Sequence, residues 1–327
     1  MRESKPTIYD PNFLPNMIYS GVPSWLNLSV IENDDDLKKI DAAVVGVPWE
    51  GGCTIGGYSS TTEGPKAVRS ASIRYTGFLP DYNLDCFDYL NVADFGDIAT
   101  QNGNYDFTFK SIRERIGKLA DAKIIPITIG GDHGIAYPII SEIAKRYPKK
   151  VGVLHFDAHL DNYSHFGDDE LSRCSPFYRV YNDPNMDPTK IAHIGIRGPR
   201  NHREEYNNAV KYGATVIRAI DVHEDGWKAS ISKALEVVSK DTEYIYITVC
   251  ADSLDAANMP QAPQDMGGLT SYELLMMLHE AGLAGAKGID FVETYPEVFT
   301  LQTAAHVVNW AFLYYLNGLA QHIKESK

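Results

Sequence analysis

The sequence predicts an α/β fold, a three-layer αβα arrangement around a doubly wound, mainly parallel sheet. Three observations predict it. Apolar runs of strand length alternate with helix-like segments along most of the 327 residues. The runs carry Val and Ile at nearly every position, the pattern of strands covered on both faces. No repeat, low-complexity tract or Pro/Ser-rich linker divides the chain, so one domain over 1–327 is expected, with a short N-terminal extension over about 1–35.

The strands are expected at 42–48 (AAVVGVP), 123–130 (KIIPITIG), 151–159 (VGVLHFDAH), 190–198 (KIAHIGIRG), 242–252 (TEYIYITVCAD) and 287–296 (KGIDFVETYP). Helical periodicity falls between them, at 110–121, 136–147, 228–240 and 270–282. The last of these opens with Thr270 and has Glu273 three residues on, a capping-box spacing. Such alternation implies βαβ crossovers with helices on both sides of one sheet. The polar stretch 160–189 reads as a functional loop.

Composition narrows the function classes. A net charge of -13, from 30 basic and 43 acidic residues, excludes nucleic acid as the expected partner, because phosphate binding needs clustered Lys and Arg. No apolar stretch reaches the roughly 20 residues that span a bilayer. The opening MRESKPTIYDPNF lacks the apolar core of a secretion signal, and a cytoplasmic location is expected. Cys53, Cys86, Cys174 and Cys250 show no CxxC spacing, which argues against a zinc ribbon or a disulfide framework.

In open α/β sheets ligands bind beyond the carboxyl ends of the strands, so polar residues that end apolar runs are the informative ones. Asp157, His159 and Asp161 in HFDAHLD are spaced two apart, and extended backbone would point all three to one face. Neighbouring carboxylates repel, and a divalent cation compensates them. Mixed oxygen and nitrogen ligation suits Mn, Fe, Ni, Co or Zn. In GGDH, Gly130 and Gly131 permit tight turning, and His133 either points into the cleft or stands beside a turn capped by Asp132. In TVCADSLD, Asp252 ends a strand. Cys250, two residues earlier, is either a further ligand or a small buried apolar group. Asp255 would support the turn or a ligand from behind. Ligands from three strand ends exceed the need of one ion. Two ions bridged by water or hydroxide, a hydrolytic arrangement, is the economical reading.

These motifs, with their order, resemble the ureohydrolase (arginase/agmatinase) family, and the match covers most of the chain. GVPWEGGCTIGGYSSTTEGPKAVR (46–69), VADFGD (92–97), GGDHG, HFDAHLD, HIGIRG (193–198), VCADSLDAANMP followed by GGLTSYE, and DFVETYP are each similar to a family signature, in the family's order. The resemblance implies hydrolysis of a small cationic guanidino compound to urea and an amine, agmatinase-like, with two divalent ions. Mn is the expected metal, with Ni, Co or Zn as alternatives. It places His133, Asp157, His159, Asp161 and Asp252 on metal-ligand positions and Glu293 on the carboxylate that pairs with the guanidinium. It also implies a homo-oligomer, a trimer or hexamer.

The sequence departs from the family in three places. Cys250 stands where the family has a metal-binding Asp. The SHGTP loop aligns best with Ser172, Arg173, Cys174, Ser175 and Pro176, so Arg173 replaces the His that assists proton transfer. Arginine stays protonated and cannot act as a base, which makes nearby His165 the candidate substitute. The stretch AANMPQAPQDM is about one residue shorter than the family's, which would reshape the substrate rim. Asp157, Glu293 and His165 are the catalytic candidates. Besides an active ureohydrolase, on a guanidino, amidine or formimino substrate, two other readings stand: a homologue that lost catalysis and serves as a binding or partner subunit, and a metal-dependent amidohydrolase or deacetylase on the related fold.

Overall fold

The computed structural model describes residues 5–9, 22–51, 60–296 and 303–327. The stretch 52–59 of the expected GVPWEGG…AVR signature, with Cys53, lies outside them. In chain order the strands are β1 (Ala42–Gly46), β2 (Phe78–Leu79), β3 (Leu84–Asp85), β4 (Val92–Asp97), β5 (Ile125–Ile129), β6 (Val151–Phe156), β7 (Ile191–Ile196), β8 (Thr215–Arg218), β9 (Tyr244–Cys250) and β10 (Ile289–Val292). The helices are α1 (Gly64–Ser72), α2 (Tyr105–Asp121), α3 (Ala136–Ala144), α4 (Pro176–Tyr181), α5 (Arg203–Tyr212), α6 (Ala219–Asp225), α7 (Trp227–Ser239), α8 (Ser271–Leu283) and α9 (Thr303–Glu325). Eight strands form one parallel sheet in the order β4-β1-β5-β10-β9-β6-β7-β8, and β2 pairs antiparallel with β3.

The Val/Ile runs work as expected. Ala42 and Val44 of β1 and Leu154 and Phe156 of β6 enter one core with α1, α7, α8 and α9. Their neighbours Ala43, Val45, Val151 and Val153 enter the other, with α2, α3 and α4. Alternate side chains thus feed two cores, and helices cover both faces.

Several elements go beyond the sequence reading. Helix α2 begins five residues before the expected 110, because Asn104 Oδ1 accepts from Phe107 N at 3.0 Å and caps it there. Strand β4 carries two aspartates and a glycine in six residues, and β8 is a four-residue sheet edge, so neither shows an apolar run. Helix α9 is buried on nearly every side, which erases the amphipathic period. The expected capping box of α8 is present: Thr270 Oγ1 accepts from Glu273 N at 3.2 Å, and Thr270 N donates to Glu273 Oε2 at 2.8 Å.

Two of the family-like stretches meet in a scaffold contact. Arg69 of α1 forks onto Asp94 of β4, Nε to Oδ2 at 2.7 Å and Nη2 to Oδ1 at 2.9 Å, and reaches Asp97 Oδ1 with Nη1 at 2.6 Å. Asp94 Oδ2 also accepts from Trp25 N at 2.7 Å, which ties the chain before β1 to the sheet. Among the described residues no helix is long and apolar enough to cross a membrane.

Candidate metal centre

The cluster forms at the carboxyl ends of β5, β6, β9 and β10. After β5 the chain passes Gly130 and Gly131 into a short 3-10 turn at His133–Ile135. The glycines are there for close packing, a different reason from the turning expected, since neither has a positive φ. A Cβ on Gly131 would stand 1.9 Å from the Trp49 carbonyl oxygen, and one on Gly130 would stand 2.6 Å from Val292 Cγ1. Both readings of GGDH hold at once: Asp132 Oδ1 caps the turn, accepting from Gly134 N at 3.0 Å, while His133 reaches the cluster.

Strand β6 stops at Phe156, so Asp157, His159 and Asp161 do not converge by strand alternation. They converge through the loop that follows. Asp157 Oδ1 accepts from His159 N at 2.6 Å, and Asp161 adopts a left-handed φ of 45°. Asp252 likewise sits in a 3-10 turn, Ala251–Ser253, just past Cys250 at the end of β9. Glu293 follows β10 with φ 59°. Two non-glycine residues held in the left-handed region beside one cluster mark a site that the surrounding packing enforces. Asp255 supports the neighbouring turn, with Oδ1 accepting from Ala257 N at 2.9 Å and Oδ2 from Gly267 N at 2.7 Å.

Among the described residues the candidate ligand atoms gather in two groups, His133–Asp157–Cys250 and Asp157–His159–Asp252, each within 4.8 Å of one another. Asp157 belongs to both. His133 Nδ1 lies 2.9 Å from Asp157 Oδ2 and 2.9 Å from Asp161 Oδ2. It is buried there without hydrogen-bond geometry to either oxygen. A ring nitrogen facing two carboxylates at that range is the arrangement of a metal ligand. Thr248 Oγ1 donates to Asp290 Oδ1 at 2.6 Å and therefore accepts from His133 Nε2 at 3.2 Å, which turns Nδ1 toward the cluster. Burial opposes the ring's charge, but Asp157 and Asp161 raise its pKa well above the usual value, and a metal ion would take the place of the Nδ1 proton. On the other side, His159 Nδ1 lies 3.2 Å from Asp252 Oδ2 and 3.4 Å from Asp157 Oδ1, and its Nε2 lies 3.2 Å from Asp265 Oδ2.

The electrostatics also call for cations. Burial, reinforced by Asp157, pushes the Asp161 carboxyl up to about 6 and raises Asp252. Burial next to Asp157 and Asp252 holds the Cys250 thiol well above its usual range. Burial works against the Asp157 charge too, but the imidazoles of His133, His155 and His159 override it and hold that carboxyl well below the usual range. Three buried aspartates and a buried thiol in one place fit a pair of divalent ions, which would take the thiol as thiolate.

The cluster opens into a cavity of about 350 Å³ whose wall includes His159, Asp161, Arg173, Cys250, Asp252 and Glu293. Glu293 Oε1 accepts from His133 N at 2.8 Å, and Oε2 accepts from Tyr295 OH at 2.7 Å and from Arg173 Nη1 at 2.9 Å. Arg173 Nη2 lies 3.2 Å from Glu50 Oε1 and 3.7 Å from Asp132 Oδ2.

The structure thus brings together His133, Asp157, His159, Asp161, Cys250, Asp252 and Glu293. It does not bring His165 to them: that residue is exposed, with Nδ1 2.8 Å from Ser164 Oγ. The sequence reading missed Glu50, Tyr295 and Asp265 around the cavity and His155, His193, Thr248 and Asp290 beneath it. The last four carried a signal, since each is a polar side chain in the middle of an apolar strand and needs a buried partner. Glu50, Tyr295 and Asp265 lie in loops and carried none.

The model of the arginase family matches residues 40–315. The guanidinobutyrase of Pseudomonas aeruginosa is 28% identical over 281 residues, covering 85% of this chain and 86% of that protein. The agmatinase of Chromobacterium violaceum is 30% identical over 295 residues, covering 88% and 87%. Among solved structures, the proclavaminate amidino hydrolase of Streptomyces clavuligerus superposes with a TM-score of 0.84 at 25% identity, over 93% of this chain and 99% of that one.

Proposed function

This chain belongs to the arginase family, and from that premise we propose that it is a metal-dependent hydrolase of a C–N bond in a small guanidino compound, releasing urea and an amine. The observation that carries the reading is Asp157, whose carboxylate is common to both ligand groups and so suits a pair of ions rather than one. We assign His133, Asp157, Asp161 and Cys250 to one ion and Asp157, His159 and Asp252 to the other. When bound, such a pair supplies activated water at neutral pH and stabilises the charge of a tetrahedral intermediate. Manganese is the metal of first choice, and the Cys250 thiolate moves the His133 side toward Zn, Co or Ni.

The remaining work falls to the protein. Glu293, fixed by His133 N and Tyr295 OH, offers a carboxylate edge for a planar cation. A volume of about 350 Å³ and a wall with Asp161, Asp252 and Glu293 suit a small cationic ligand. The proton released in the attack falls to a carboxylate of the cavity wall, Asp161 or Asp252, both raised by burial beside Asp157; Asp157 itself is held low and, like His165, is not part of that wall. Urea release from a panel of guanidino compounds, by protein loaded in turn with Mn, Ni, Co and Zn, tests the reading. No urea or ammonia from any combination would sink it.

A second reading, a homologue without catalysis that serves as a binding or partner subunit, is favoured by one observation: Glu293 is already paired with Arg173. Two bound ions per chain would count against that reading, and none or one would favour it.

A further inference from the structure

Within the hydrolase reading, we propose that Arg173 is a specificity-determining residue that fills the cation seat of Glu293 from inside the chain, so that a cationic ligand engages this carboxylate only by displacing it.

The first argument is capacity. Each carboxylate oxygen accepts about two hydrogen bonds. Glu293 Oε2 already takes two, from Arg173 Nη1 and Tyr295 OH, and Oε1 takes one, from His133 N. A planar cation that binds in a bidentate manner needs both oxygens, and one acceptor position is left.

The second argument is charge. Burial alone would lower the Arg173 pKa, but Glu293, Asp132 and Glu50 surround it and hold the guanidinium above even its usual range. Glu293 therefore faces the cavity as half of an ion pair, not as a bare anion.

The third argument is anchoring. The two ends of the guanidinium do different things: Nη1 serves Glu293, and Nη2 serves Glu50 and Asp132. Taking the whole side chain away would leave three buried carboxylates together, at a cost far above that of one hydrogen bond. The backbone is held as well. Ser175 N donates to Ser172 O at 2.9 Å, Tyr163 N donates to Cys174 O at 3.1 Å, and a Cβ on Gly134 would stand 3.9 Å from Arg173 Cα, so the loop packs directly on the His133 turn. A ligand thus competes for the Nη1 contact while Nη2 stays in place. A neutral ligand of the same shape competes for nothing. Arg173 thereby sets the cavity's discrimination between cationic and neutral groups.

The test is calorimetric titration of the full chain, loaded with divalent ion, with two matched probes: methylguanidinium and neutral methylurea. In Arg173→Gln, methylguanidinium binding tightens about tenfold to a hundredfold, the range of one charge-assisted hydrogen bond, and methylurea binding stays the same. Arg173→Lys keeps a cation for Glu50 and Asp132 but lacks the fork, and it shifts the same way, which covers the case in which the Gln variant does not fold. Unchanged methylguanidinium affinity in a folded variant, or equal tightening of both probes, would overturn the proposal. Failure of the wild type to release urea would remove the hydrolase reading and leave this probe comparison readable.

Discussion

The Nδ1 atoms of His155 and His193 lie 2.6 Å apart inside the core, so one ring donates to the other across a single shared proton. Burial lowers His155 to about 4 and His193 well below its usual value, so both are neutral. One set of tautomers then satisfies every contact. Tyr181 OH donates to His193 Nε2 at 2.6 Å, His193 Nδ1 donates to His155 Nδ1, and His155 Nε2 donates to Asp157 Oδ2 at 3.0 Å. A directed chain of three side chains therefore ends on the carboxylate that both metal groups share.

That chain predicts a metal-affinity effect from a residue that touches no metal. His193→Phe fills the same space, breaks the relay and leaves His155 free to turn. Metal affinity, read by chelator competition, should fall about tenfold to a hundredfold. An unchanged affinity would mean that the relay does not hold Asp157.

The scaffold contact predicts a stability effect. Arg69→Ala leaves Asp94 buried without its fork, at a cost of about 3–5 kcal/mol in chemical unfolding. The Arg69 side chain is 8% exposed and that of Asp94 2%, so solvent offers little compensation. A loss below about 1 kcal/mol would contradict the assignment.

The helical layer predicts a pH effect away from the site. His279 of α8 stacks on Tyr82, with ring centroids 3.6 Å apart, and burial lowers its pKa to about 4. The unfolded chain takes up a proton there near 6.5, while the folded chain resists until about 4. Its contribution is therefore complete above 6.5 and is lost as pH falls from 6.5 to about 4. Unfolding free energies at pH 7 and 4.5 should differ less in His279→Phe than in wild type. Equal loss in both would rule His279 out as the source.

Cys250 predicts a spectroscopic signature. Protein loaded with Co should show a thiolate-to-metal charge-transfer band, and Cys250→Ser should lose it. Cys250→Asp, which restores a carboxylate, should shift preference from Zn and Co toward Mn. A band that survives in Cys250→Ser would remove the thiol from the ligand set.

Much of this was legible in the residues, and the limits have physical causes. Buried parallel strands announce themselves by continuous Val and Ile, so β1, β5, β6, β7, β9 and β10 were readable. Edges and fully buried helices lack that contrast, so β4, β8 and α9 were not. His133, Asp157, His159, Asp161 and Asp252 were found as strand-end polar residues, although all three groups converge through loops and 3-10 turns instead of the pleat. The pairing of Arg173 with Glu293 spans 120 residues of sequence and depends on how a long loop folds back, and no local pattern encodes that.

The shared role of Asp157 is the central claim, and metal content per chain tests it most directly. The purified wild type, equilibrated with divalent ion and freed of excess, should hold two ions per chain. Asp157→Asn should lose both together, because each group draws on the same carboxylate. A wild type that holds none, or an Asp157→Asn variant that keeps one of two, would contradict the account.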